Sequence, residues 1–360
     1  MFTGQLIHVI RAVLLTLVAF LVAVAATGAV RRYAIRIKLL DVPNARSSHA
    51  VPTPRGGGVA IVLATLLAAG CWHLLAPAQA LPLLLLLAAA LVAVVGLIDD
   101  HGDLPPAWRL LFQGLAAAMV MYGLGGLPVL PVFGMQWDLG VAGYALGWLF
   151  LIWLLNLFNF MDGIDGIAGV QAVSVCVLAA ICHGVVDAAP AVMLAAWALA
   201  AAAAGFLCWN WPPARIFMGD AGSGFTGFFI ATLALTAAWG DGRLFWCWVL
   251  LMGVFVVDAT LTLVRRLRRG EAVFMAHRSH AYQQASRLHG AHRPVTLAVL
   301  CINVGWLGLW ALLVAAGRVD GALATCLAYV PLLGLAVYYR AGLPDKEQQA
   351  AMDGNQRSLP

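Results

Sequence analysis

Charge is what this sequence has least of. Asp, Glu, Lys and Arg make up 10% of its 360 residues, against 63% hydrophobic. Soluble domains carry about 25% charged residues, so a water-exposed surface is excluded for most of the chain and its solvent has to be lipid. Seven cysteines occur, none in a CxxC pair, and all lie within or at the ends of apolar runs. That excludes a disulfide framework and a cysteine-based zinc site, because in such helices Cys behaves as a small hydrophobe. Strict apolar–polar alternation is also lacking. The segment 81–90 reads Leu-Pro-Leu-Leu-Leu-Leu-Leu-Ala-Ala-Ala, which excludes the strands of a membrane barrel and leaves helices as the spanning element. There is no internal repeat, low-complexity segment or separate soluble domain, and nucleic acid is not expected as a partner.

Apolar runs near the length that crosses a bilayer, about 20 residues, recur along the chain. Eleven are present: 12–30, 57–75, 81–98, 108–124, 143–160, 164–186, 191–209, 223–239, 244–264, 295–316 and 322–339. The expected fold class is therefore an all-α, polytopic membrane protein, with one integral domain over 1–340 and a polar, disordered tail over 341–360. The first run is too long for the core of a signal peptide and ends in Arg31 and Arg32, which reads as an uncleaved anchor. Placing Arg31 inside puts loops 31–56, 99–107, 210–222 and 265–294 and the tail on the cytoplasmic side, with 17 of the 21 Lys and Arg residues. Positive charge stays inside, so the N-terminus is expected in the periplasm and the C-terminus in the cytoplasm. Segment 125–142, on the other side, has the turn residues of a small hairpin.

Only sixteen carboxylates occur, and many of them cluster at the expected cytoplasmic ends of these runs. Asp99 and Asp100 follow Val-Val-Gly-Leu-Ile. Asp162 and Asp165 close the stretch Asn156-Leu-Phe-Asn159-Phe-Met-Asp162-Gly-Ile-Asp165-Gly. Asp220 lies in Phe217-Met-Gly-Asp220-Ala-Gly-Ser. Charges near membrane depth are costly and mark function, and two adjacent carboxylates invite a divalent cation or a shared proton. Mg2+ takes hard oxygen ligands and bridges substrate phosphates; Asp220, Asn159 and the Asp99–Asp100 pair offer such oxygens. Asn156, Asn159, Asp162 and Asp165 step by three, so neighbours are expected on one helix face. Gly222 and Gly224 follow Asp220 at a helix start, where a phosphate is favoured. Loops 31–56 and 265–294 bring Arg55, His277, Arg278 and His280 to the same surface, as a polyanionic substrate requires. Blander roles also fit: Arg265 to Arg269 as a topology anchor, Asp41 and Asp103 as turn residues, and His8, His73 and His183 as helix-end residues. For Asp258, pairing with Arg265 and a part in the chemistry are equally open.

These motifs, with His277-Arg-Ser-His280, resemble those of the polyprenyl-phosphate N-acetylhexosamine-1-phosphate transferases of glycosyltransferase family 4, in the same order from about residue 40 to 295. The resemblance implies a transfer of sugar 1-phosphate from a UDP-N-acetylhexosamine to undecaprenyl phosphate, with Mg2+ or Mn2+ as cofactor and UMP released. It implies Asp99 as base with Asp100 its partner, Asn159 and Asp220 as metal ligands, and Asn156, Asp162, Asp165 and Phe217 at the nucleotide. It implies phosphate or sugar contacts from Arg55, His277, Arg278 and His280, and it admits a homodimer. The pentapeptide-transferase branch has three adjacent histidines where this chain has His-Arg-Ser-His. Asp41-Val-Pro-Asn-Ala-Arg-Ser-Ser-His49 and Pro52-Thr-Pro-Arg-Gly-Gly-Gly58 look instead like the group that starts O-antigen, whose donors include UDP-GlcNAc and 6-deoxy relatives such as UDP-FucNAc.

Two rival classes fit less well. A lipid-linked sugar transporter needs polar residues along a path through mid-membrane, whereas here charge collects at one face. A polyprenyl-diphosphate phosphatase needs no uridine site. The orientation is testable. Asp162→Cys and His277→Cys, each in a chain cleared of native cysteines, are expected to resist an impermeant thiol reagent in intact spheroplasts and to react after permeabilisation. Reaction at both from outside sinks the topology.

Overall fold

The computed structural model describes residues 2–43, 51–102, 104–188, 190–271 and 277–344. The Asn44–His49 part of the first basic loop, Asp103 and all but the start of the polar tail lie outside the described residues. The chain runs through α1 (Phe2–Arg36), β1 (Leu40–Asp41), β2 (Thr53–Pro54), α2 (Val59–Leu75), a short 3-10 turn, α3 (Leu83–His101), α4 (Pro106–Leu124), β3 (Leu130–Val132) and β4 (Met135–Trp137). It continues with α5 (Gly140–Phe160), α6 (Ile167–Val186), α7 (Pro190–Asn210), α8 (Asp220–Gly240), α9 (Gly242–Leu251) and α10 (Gly253–Arg268). The last elements are α11 (Ala281–His289), α12 (His292–Ile302), a π turn (Asn303–Leu307), α13 (Gly308–Ala315) and α14 (Gly321–Tyr338).

Among the described residues nine helices are long and apolar enough to cross a membrane, the α12–α13 run counting as one. Helices α9 and α10 make a tenth span bent by 68°, and α2, at 17 residues, is an eleventh apolar helix of shorter length. Each expected run thus has its helix, and the chain is a multi-pass membrane protein. Apolar side chains such as Leu21, Leu115 and Val330 point outward, where lipid takes the place of water.

Helix α8 is the axis of the bundle. It is buried along nearly its whole length and packs against α3, α5, α2, α7 and α9. Close approach explains the small residues at its start. A Cβ on Gly96 of α3 would come within 2.7 Å of the Ala221 backbone, so the two helices cross backbone to backbone, the usual device where lipid supplies no hydrophobic drive. This crossing carries Asp99 and Asp100, one turn beyond Gly96, onto the first residues of α8.

The run expected at 244–264 is broken at Met252, and the break is satisfied internally. Gln171 of α6 donates to the Leu251 carbonyl at 3.2 Å, and its own carbonyl accepts from Asn303 at 2.8 Å. Asn303 also donates to Ser174 at 2.8 Å. All three side chains are buried, and with no water in the hydrocarbon such groups have to pair with each other. The hairpin expected at 125–142 is present, with Leu130 paired to Trp137. It is pinned at the far end of the bundle by Trp246, which donates to Pro131, and by Asp320, which accepts from Gly134.

The Gln171 network generates a stability prediction. Gln171→Leu removes the Gln171 bonds to the Leu251 carbonyl and from the Asn303 amide, which keeps only Ser174, at a cost of about 1–3 kcal/mol. Thermal unfolding in detergent is expected to shift downward; an unchanged midpoint removes this network from the account of the bend.

Candidate functional site

Helix α3 ends in two acids that do different things. Asp99 accepts from Leu104 N at 2.9 Å and pairs with Arg109 at 2.7 Å. Asp100 turns inward, is buried, and accepts from Asp220 N at 3.0 Å and Ala221 N at 3.1 Å. The repulsion expected between the neighbours is thus resolved by an arginine on one side and a helix N-terminus on the other. This also revises the expectation that the start of α8 is free for a phosphate: the Asp100 carboxylate already occupies it, as an anion at the positive end of a helix. Gly219, at φ +77°, makes room, since a Cβ there would press on both Asp100 oxygens at 2.8 Å. Arg55 donates to the Asp100 carbonyl at 2.8 Å.

The three-residue periodicity of Asn156, Asn159, Asp162 and Asp165 does not continue as one helix. Helix α5 ends at Phe160, and Gly166, at φ +76°, precedes α6. Asn156 donates to Gln113 at 3.2 Å, and Asn159 Oδ1 accepts from the Ser223 hydroxyl at 3.1 Å. Asp162 and Asp165 sit in the turn. Burial, followed by the Asp220, Asp100 and Asp165 carboxylates, pushes the Asp162 carboxyl well above the usual range. Asp165 points the other way, pairs with His292 at 3.2 Å and accepts from Ala214 N at 3.0 Å.

Phe217 is positioned by strand-like pairing. Its N–H donates to Pro54 and its carbonyl accepts from Gly57, both at 2.8 Å. Asn210 ties this loop to the α5–α6 turn, accepting from Gly166 N and donating to the Ile216 carbonyl, both at 2.9 Å. The second basic segment sits on the opposite side of that turn. His280 is buried and bonded to Asp258 at 3.3 Å. The expected alternative of an Asp258–Arg265 pair is not formed, because Arg265 donates to the Ala341 carbonyl. His277 stacks on His280 at 4.8 Å. Burial, then the neighbouring His280 and Arg266, lowers His277 to about 3, so at neutral pH it is an uncharged hydrogen-bonding ring. Val273 to Met275 lie outside the described residues.

Two cavities flank the turn. One, of about 700 Å³, is lined by Phe217, Asp165, Pro212, Arg287, His292 and Arg293 among others. The second, of about 640 Å³, has Asp99, Arg109, Asn156, Asn159 and Asp220 at its polar end and continues between Trp148, Leu149, Ile152, Trp153 and Leu110. The expected site residues therefore divide: Phe217 and Asp165 face an aqueous pocket rimmed by arginines, and Asp99, Asp220 and Asn159 face the head of an apolar groove. Sequence reading missed Arg109, Gln113, His292 and Arg293 as site residues. Arg109 and the His292–Arg293 pair stand at the margins of apolar runs, where a basic residue reads first as a topology signal.

The donors suit a hard divalent cation. Asp220 and Asn159 offer oxygens to one cavity, and Asp220 meets the Asp99 side chain. Among the described residues no group of three His, Cys, Asp or Glu side chains closes on a single point. An ion held by one or two protein oxygens, with phosphates and water completing its shell, matches Mg2+.

Residues 82–238 match the family described as glycosyl transferase family 4, a segment that holds every acidic site residue from Asp99 to Asp220. An undecaprenyl-phosphate alpha-N-acetylglucosaminyl 1-phosphate transferase of Pasteurella multocida (strain Pm70) is 34% identical over 313 residues, 81% of this chain and 85% of that protein. A Bacillus subtilis (strain 168) protein named "Probable undecaprenyl-phosphate N-acetylglucosaminyl 1-phosphate transferase" is 30% identical over 305 residues, 82% of this chain and 83% of its own. A decaprenyl-phosphate N-acetylglucosaminephosphotransferase of Mycobacterium tuberculosis (strain ATCC 25618 / H37Rv) is 29% identical over 353 residues, 82% of this chain and 80% of its own.

The division of labour between Asp99 and Asp100 is measurable. Asp100→Ala removes the α8 cap and is expected to cost about 0.5–2 kcal/mol of stability, whereas Asp100→Asn keeps an acceptor oxygen and loses less. Equal unfolding midpoints for Asp100→Ala and the parent chain rule out the capping role.

Proposed function

Because this chain belongs to glycosyl transferase family 4, we propose that it transfers an N-acetylhexosamine 1-phosphate from a UDP-sugar to undecaprenyl phosphate and releases UMP. The observation that carries this reading is the pairing of an aqueous, arginine-rimmed pocket with an apolar groove on either side of one acidic turn. A soluble diphosphate and a lipid phosphate need such a pair of approaches to one reaction centre.

The groove between Trp148, Ile152 and Trp153 suits the prenyl chain, and its polar head suits the lipid phosphate. Arg109 is poised to exchange its ion pair with Asp99 for one with that phosphate. Asp99, released, accepts the phosphate's proton. A phosphate oxygen then bonds to the β-phosphorus of the donor as the bond to UMP breaks, and UMP leaves carrying the electron pair. Phe217 offers a face for the uracil ring, with Asp165 in the same pocket and Asp162 in the turn beside it; Asn156, expected from the sequence at the nucleotide, lies instead at the polar head of the groove, bonded to Gln113. Arg55 and Arg278 supply fixed positive charge to the diphosphate and sugar, and His277 a neutral hydrogen-bonding ring. Mg2+, or Mn2+ in its place, bound by Asp220 and Asn159, would supply neutralisation of the diphosphate. The basic loops favour a site on the cytoplasmic face of the bacterial inner membrane. The relatives named above point to N-acetylglucosamine as the first donor to try, with UDP-FucNAc next, and a lipid-linked glycan such as O-antigen as the product's destination.

The test is transfer in membranes supplied with undecaprenyl phosphate and a panel of UDP-sugars, read as lipid-linked label and as exchange of labelled UMP into the UDP-sugar. Lipid-dependent formation of both is expected, and Asp220→Asn is expected to lose activity by at least about 100-fold while still inserting, the scale of one lost electrostatic group at a transition state. Hydrolysis of a polyprenyl diphosphate with no UMP exchange would falsify the transferase reading in favour of a phosphatase.

A further inference from the structure

Asp258 is a buried carboxylate on α10, the second half of the bent pair, 5% exposed, and the transfer chemistry leaves it unused. Among the described residues no arginine compensates it: Arg265 bonds the Ala341 carbonyl, and Arg266 pairs with Glu271 at 3.3 Å. Its partners lie on its own helix and at the start of α11. One oxygen accepts from Ala281 N at 2.9 Å, Thr262 Oγ1 at 3.1 Å and His280 Nδ1 at 3.3 Å; the other accepts from Tyr282 N at 3.0 Å. The first N–H groups of a helix have no partner within it, and a carboxylate placed there gains from the helix dipole.

What the carboxylate holds is more than a helix end. The ring of His280 stacks on His277 at 4.8 Å, on Tyr282 at 5.6 Å and on Phe160, the last residue of α5, at 6.4 Å. The Tyr282 hydroxyl donates to the Phe160 carbonyl at 3.0 Å, and Gln283 closes the capping box by accepting from His280 N at 3.3 Å. Segment 277–282 is therefore fastened to the end of α5, two residues before Asp162, with Asp258 as its anchor. Without that anchor the segment keeps its stacking but loses the charge-assisted bonds that fix its height over the acidic turn.

We propose that Asp258 is the positioning residue for the donor-reading segment 277–280. It contacts no substrate and acts on His277 and Arg278 through α11 and the His280 ring. His280 accordingly serves as a strut between Asp258 and His277. The inference rests on the reading of this segment as a donor contact under Proposed function.

The experiment uses the full chain in lipid nanodiscs. Asp258→Asn keeps the shape and one acceptor oxygen but removes the charge. It is expected to raise KM for the UDP-sugar about tenfold, the scale of one lost charge-assisted hydrogen bond, with kcat and KM for undecaprenyl phosphate changed by less than about twofold. Trypsin cleavage after Arg278 is expected to accelerate in parallel, a readout that needs no substrate. Thr262→Val removes one neutral hydrogen bond to the same oxygen, is expected to raise donor KM about threefold, and decides the matter if Asp258→Asn fails to fold. Unchanged donor KM together with unchanged cleavage overturns the proposal. Faster cleavage with unchanged donor KM keeps the cap but removes the segment from donor recognition, which also overturns the positioning role. Absence of transfer by the parent chain from every UDP-sugar defeats the proposed function alone, and the cleavage arm still reads Asp258.

Discussion

Carboxylates gathered at the edge of a hydrocarbon layer have to be compensated with few water molecules at hand, and the reactive end of this molecule is arranged around that requirement. Burying an uncompensated charge costs several kcal/mol or more by general estimates. Three of the acids are settled inside the protein: Asp99 by Arg109, Asp100 by the first N–H groups of α8, and Asp165 by His292 and the Ala214 N–H. Among the described residues no ion pair settles Asp162 or Asp220. Both stand between the end of α5 and the start of α8, where burial and the surrounding carboxylates push Asp162 toward its neutral form, and for the proposed reaction a cation with a polyanionic substrate is the group that would balance them. The surrounding arginines come from separate elements, Arg55 from the segment after β2, Arg109 from α4, Arg287 from α11 and Arg293 from α12. Each arginine consumed by a structural pair is one fewer for phosphate.

Helix N-termini carry much of this compensation. Asp100 caps α8 and Asp258 caps α11 from distant helices, while Asp241 and Asp320 cap α9 and α14 from the adjoining residue. The two local caps lie at the far end of the bundle, where Asp320 also holds the hairpin through Gly134 N. The two long-range caps lie at the reactive end and lock one element to another. A cap of this kind fixes both the position and the direction of the helix it holds, because the acceptor sits on the helix axis. Precision at the site is then inherited from α3 and α10, which are themselves fixed by packing against α8, α5 and α14.

This distinction decides what could be read from sequence. Spans were legible because each is a run of apolar residues whose length is set by the bilayer, and the short hairpin was legible from its turn residues. The acidic motifs were legible because charge is so rare elsewhere in the chain. What escaped was every relation between residues far apart. Asp99 and Asp100 look like a repelling pair until the N-terminus of α8 arrives, 120 residues later, to take one of them. Asp258 looks like a partner for Arg265, two turns along the same helix, until α11 folds back over it. The step of three from Asn156 to Asp165 implied one face, but Gly163 and Gly166 let the chain leave the helix after Phe160, so the four side chains serve two cavities. His292 sits at the margin of a span, and only the fold brings it to Asp165.

The turn from Met161 to Gly166 is the point on which these relations converge. Asn159 and Phe160 precede it and face the apolar groove; Asp165, within it, faces the aqueous pocket. For the proposed transfer, the attacking and leaving oxygens have to stand on opposite sides of the phosphorus, roughly in line. An acceptor confined to the groove and a donor confined to the pocket meet that demand without any large domain movement, since the partition is built into the chain. It also suggests why the turn is acidic rather than basic. For the proposed reaction, a basic turn would hold both phosphates in their ground states, whereas carboxylates flanked by Arg55 and Arg109 would leave room for a cation to accompany the diphosphate.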